Sequence, residues 1–77
     1  MARFSLEPTE SQEHSHSFDV NVVVEVGSVE VTIHGVKKLL NQGECIFVER
    51  NASHKVHNLS EKHCLVNCER IQHIPRL

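Results

Sequence analysis

Tryptophan and tyrosine are absent from this chain, and its remaining rings other than histidine are Phe4, Phe18 and Phe47. A site that stacks aromatic side chains on sugars or bases has little to build on here. Clustered basic charge is missing as well. Eight Lys and Arg are spread along 77 residues with ten Asp and Glu, for a net charge of −2, so the electrostatic footprint of a nucleic-acid binder is lacking and no such partner is expected. Apolar runs stay short, as at Val22-Val23-Val24. The opening "MARFSLEPTESQEHS" lacks the apolar stretch of a secretory signal. No membrane partner is expected, and a soluble, cytoplasmic protein is. The three cysteines, Cys45, Cys64 and Cys68, form an odd set without zinc-ribbon spacing, which favours reduced thiols over a disulfide framework. A chain of this length reads as one domain over residues 1–77, with a core thin enough that a second copy, as a homodimer, would help it.

Histidine, by contrast, occurs seven times, and it is the commonest side chain for holding transition metals near neutral pH. Most of the chain around these histidines has a period of two. In "SVEVTIH", residues 28–34, Val29, Val31 and Ile33 fall on one face and Glu30, Thr32 and His34 on the other, as a half-buried strand requires. "FDVNVVVEV" before it is rich in β-branched residues, and Gly27-Ser28 separates the two as a turn. His34-Gly35 marks the next turn. "VKKLL", "ECIFVE", "HKVHNL" and "HCLVNCERIQ" follow, divided by Asn41-Gln42-Gly43, Arg50-Asn51-Ala52 and Ser60-Glu61-Lys62. Short strands at even spacing predict an all-β sandwich or barrel. The polar segment from Pro8 to Ser17 reads as a loop.

Two histidine motifs then stand in order. In "GECIFVERNASHKVHN", Gly43, His54 and Asn58 occupy the first, fourth and last named positions of a pattern of glycine, five residues, proline, one residue, glycine, two residues, histidine, three residues and asparagine. Glu49 stands at the proline position and Asn51 at the second glycine, where asparagine also tolerates a left-handed backbone. Upstream, His14, His16 and Gly27 fit glycine, five residues, His-x-His, three or four residues, glutamate, six residues and glycine. Pro8 replaces its first glycine, and Val20 or Asn21 takes the glutamate position. In these residues the chain resembles the small single-domain members of the cupin superfamily. The resemblance spans residues 8 to 58 and implies a double-stranded β-helix, or jelly-roll, barrel with the last strand as its continuation.

The resemblance implies a metal site at His14, His16 and His54. Residues two apart on a strand point the same way, so His14 and His16 share a face with Val20, while His54 comes from the opposite wall. Three imidazoles with open positions suit Fe, Mn, Ni, Cu or Zn. The family's usual carboxylate ligand is missing, so the dication charge is uncompensated and a small anionic metabolite is the expected ligand. His57, opposite His54 by alternation, is expected outside the site, and Asp19 or Asn21 could reach it only through a bulge. His34, His63 and His73 read as turn or solvated residues. Cys45 reads as a small buried hydrophobe. Cys64, Val66 and Cys68 share a face as core or as soft extra ligands. Three functions remain open: a metal-dependent enzyme, isomerase-like or dioxygenase-like; a metal-free binding or sensing module whose histidines bond to one another, water or backbone; and a thiol redox sensor, for which no neighbour promises a lowered thiol pKa.

Overall fold

A computed structural model describes residues 2–71. Eight strands, β1 (Ala2–Leu6), β2 (Ser11–His14), β3 (Val20–Val26), β4 (Val29–Ile33), β5 (Val36–Leu40), β6 (Cys45–Val48), β7 (His54–Asn58) and β8 (Cys64–Arg70), form two four-stranded sheets. Their orders are β1-β8-β3-β6 and β2-β7-β4-β5, with every pair antiparallel. Among the described strands, only β4 and β5 are sequential neighbours within one sheet. Their two-residue turn places His34 and Gly35 at φ 51° and 78°, the left-handed pair that matches hairpin twist. Every other connection passes from one sheet to the other, so Gly27-Ser28 bridges the sheets.

The alternation read from the sequence decides what lies between the sheets. Val20, Val22 and Val24 from β3, Val29 and Val31 from β4, Val48, Val56 and Val66 are all buried, with Leu6 and Leu40. A core made mostly of valine suits a chain with few aromatics, with Phe4 and Phe18 packed only at its margin: stiff, β-branched side chains pack well on pleated surfaces. Gly27, at φ 91°, leaves no space for a side chain, because a Cβ there would meet Cys64 Sγ at 2.5 Å.

Two expectations need correction. Within the segment expected to be a loop, Ser11–His14 forms β2 and pairs with β7, His14 opposite His54. Its apolar pattern is absent because the side chains it turns inward are Gln12 and His14. Cys45 is exposed: β6 is an edge strand that turns Ile46 and Val48 toward the core. No helix among the described residues is long and apolar enough to cross a membrane.

Candidate metal centre

The row His14–His54–Ile33 runs across β2, β7 and β4, and its two histidines face the interior at one end of the barrel. His16, just past β2, is held by its carbonyl, which accepts from the Asn51 N–H at 2.6 Å. Asn51 has φ 66°, so the residue at the motif's second glycine position does adopt the left-handed conformation and in doing so anchors His16 beside β7. Ring centroids of His14, His16 and His54 stand 5.5 to 6.2 Å apart.

Ligand atoms of His14, His16, His54 and Cys68 all lie within 4.8 Å of one another. His54 and Cys68 are buried and form the floor; His14 and His16 are half-buried and form the mouth. Phe4 packs against His14 at 4.9 Å and Phe18 stacks on His16 at 5.3 Å. The Arg70 guanidinium lies 4.7 Å over the Phe18 ring, a cation beside the mouth.

The polar atoms of this cluster are short of partners. Neither ring nitrogen of His54 is hydrogen-bonded, nor is Nε2 of His16, although all three are buried. Unpaired buried polar atoms are uncommon and call for an explanation, and inward-facing imidazole lone pairs are what a metal ion would satisfy. His14 Nε2 donates to Gln12 Oε1 at 2.9 Å, which leaves its lone pair on Nδ1; such outer contacts fix the tautomer of a ligating imidazole. Burial, reinforced by His16 and then His14, pushes the His54 pKa down to about 4, against a weak opposing effect from the Ala52 backbone, which falls short of hydrogen-bond geometry. His14 is lowered by burial and then by His16. Both rings are therefore neutral at pH 7, the protonation state that binds metal. Burial raises the Cys68 thiol pKa.

Other candidates lie elsewhere. His57 is half-buried on the opposite face of β7. His34 pairs with Glu49 at 2.9 Å and His63 with Glu7 at 3.0 Å, both exposed; His73 lies outside the described residues. Val20 is buried in the core where a carboxylate ligand would stand. The register shift in β3 falls at Val24/Val26, beyond the site, so Asn21 stays on the outer face. Asp19 accepts from the Arg50 N–H at 2.8 Å.

This geometry meets the comparisons with known proteins. The cupin domain family matches residues 2–68. The chain is a cupin. Among solved structures this cupin is similar to the TT1209 protein of Thermus thermophilus at 26% identity, covering 88% of this chain and 69% of that one, with a TM-score of 0.74. It is also similar to Drosophila melanogaster CENP-C bound to CAL1, at 17% identity and TM-score 0.83, covering 90% of this chain and 62% of that one. This cupin thus spans less than two thirds of the CENP-C chain. A de novo designed double-stranded β-helix shares 20% identity over 91% of this chain and 96% of its own, with a TM-score of 0.78. No curated protein matches. Likeness at these identities speaks for the fold of the cupin, and its site rests on its own residues.

Gln12 and Cys68 are the site residues that the two histidine motifs do not contain. A period-two reading of β8 puts Cys68 on the inward face, but the choice between thiol ligand and core packing needs the opposite sheet in place.

Proposed function

We propose that this cupin binds a divalent transition metal through His14, His16 and His54 and uses it to hold a small anionic ligand. The observation that carries the reading is the His54 ring, 0% exposed with both nitrogens lacking a hydrogen-bond partner and two further imidazoles beside it. Arg70, stacked on Phe18 at the mouth, supports an anion as the ligand. The residues select no single metal, since imidazole suits Zn, Cu, Fe and Ni alike. Isomerase-like or dioxygenase-like catalysis at the same centre is the alternative reading, and the clustered donors His14, His16, His54 and Cys68 include no carboxylate.

Elemental mass spectrometry of untagged, gently purified protein tests this, with His14→Ala/His54→Ala as control. Near-stoichiometric metal, lost in the variant, is the expected result. No metal even after reconstitution overturns it in favour of a metal-free module. That second reading draws on the resemblance to CENP-C, a cupin domain seen bound to the protein CAL1.

The proposal includes a homodimer in a reducing, cytoplasmic setting, where Cys45, Cys64 and Cys68 stay free. β5 and β6 end their sheets, and Val36, Leu39 and Phe47 are exposed there at 69%, 54% and 54%. A second copy would cover these edges. Light scattering is expected to give twice the chain mass, and a monomer at high concentration would sink this part of the reading.

A further inference from the structure

We infer that the Cys68 thiolate is the fourth protein ligand of the metal, and that it supplies from β8 the negative charge that Val20 cannot supply from β3. The inference rests on the metal-binding reading above and specifies its donor set.

Cys68 pairs with Val22 across β3 and β8, two residues along from the Val20–Arg70 pair. Inward-facing residues of one pleat alternate along each strand, so Cys68 is the diagonal neighbour of Val20 on the same inner face. Its sulfur lies within 4.8 Å of the ligand atoms of all three histidines, and its side chain, like that of His54, is buried. The two buried thiols differ in what they touch. Cys64 Sγ donates to the Ser28 carbonyl at 3.3 Å and stands 3.8 Å from Ser60 Oγ. The Cys68 thiol has no hydrogen-bond partner among the described residues. It therefore sits beside three unpaired imidazole nitrogens with its own sulfur uncommitted.

The chemistry of the four donors fits a tetrahedral ion. With metal–nitrogen bonds of about 2.0 to 2.1 Å and metal–sulfur of about 2.3 Å, three nitrogens and one sulfur in tetrahedral array stand roughly 3.3 to 3.6 Å apart, so the cluster needs to contract by about an ångström to close on an ion. On binding, the S–H bond breaks, its proton passes to solvent and a metal–sulfur bond forms, so one positive charge remains on the centre. That charge still attracts an anion, which would enter as a fifth ligand, an expansion that zinc tolerates. A thiolate also narrows the metal: nitrogen and sulfur donors in tetrahedral array favour Zn over the oxygen-seeking Mn.

Titration of the metal-free protein with Co(II) reads the donor set directly. The wild type is expected to show intense visible bands of a tetrahedral ion together with a near-ultraviolet sulfur-to-cobalt charge-transfer band. Cys68→Ser, with its fold checked by circular dichroism, is expected to lose the charge-transfer band and to bind Zn(II) more than about 100-fold more weakly, beyond what outer-shell changes cause. Visible bands without charge transfer in the wild type overturn the cysteine assignment and leave the three-histidine site standing. No cobalt bands at all overturn both. Should Cys68→Ser not fold, alkylation of the wild type mapped by mass spectrometry decides: Zn(II) is expected to protect Cys68 selectively, and equal alkylation of Cys68 with and without Zn(II) refutes the ligand role.

Discussion

Asn58→Ala is expected to destabilise the protein by about 3 to 4 kcal/mol, because it strips several buried or half-buried backbone groups of their partner at once. Asn58 is fully buried. Its Nδ2 donates to the Lys62 carbonyl at 2.8 Å and to the Leu6 and Glu7 carbonyls at 3.2 Å. Its Oδ1 accepts from the Ser60 N–H and hydroxyl, both at 2.8 Å. One amide thereby fastens the end of β1 to the turn between β7 and β8. A domain of this size has on the order of 4 to 12 kcal/mol of total stability, so the loss is a large share of it. Asn58→Asp should be no milder, since it turns a second oxygen toward three carbonyls. Urea denaturation measures both. His54 and Asn58 occupy opposite ends of β7, about 13 Å apart at the rise of a strand, so folded Asn58→Ala should retain its metal affinity. Lost metal with unchanged stability would instead place Asn58 in the site.

The two motif residues on β7 thus divide between chemistry and architecture, and spacing alone could not tell them apart. Legibility in the sequence followed the same division. β4 stood out because Val29, Val31 and Ile33 alternate with polar residues, β3 because it is rich in β-branched side chains, and β7 because turn residues bound it. The left-handed turn at Asn51 was legible because few residue types tolerate that backbone. β2 was not, since its inward side chains, Gln12 and His14, are polar for the sake of the site, and β1 offers only Phe4 and Leu6 to mark its inner face. Functional positions are where local patterning is expected to fail. Cys68 was ambiguous for a different reason: a thiol serves equally as a small hydrophobe, and only the neighbours brought by β2 and β7 separate the two roles.

His54 should make the metal-free protein acid-sensitive and should reverse the effect of its own replacement when metal is added. Its pKa is 6.5 in the ordinary case and about 4 in the fold. Above pH 6.5 the ring is neutral folded or unfolded, and stability does not depend on it. Between pH 6.5 and 4 the unfolded chain takes up a proton that the folded chain refuses, so stability falls with falling pH, by about 1.4 kcal/mol per unit and about 3 kcal/mol in all. His14, lowered for the same causes, adds in the same direction. His54→Leu should flatten this dependence. At pH 7 without metal it should match or exceed the wild type by about 1 kcal/mol, because an apolar side chain of similar size removes two unpaired buried nitrogens. Zn(II) at about a hundredfold its dissociation constant should then stabilise the wild type by about 2.7 kcal/mol and leave the variant unmoved. Thermal and urea unfolding across pH, with and without Zn(II), check both halves. A His54→Leu protein that is several kcal/mol less stable at pH 7, in a background indifferent to Zn(II), would make His54 a packing residue. The reversal is what a binding function predicts, since the unpaired nitrogens that weaken the empty fold are the ones available to the ion.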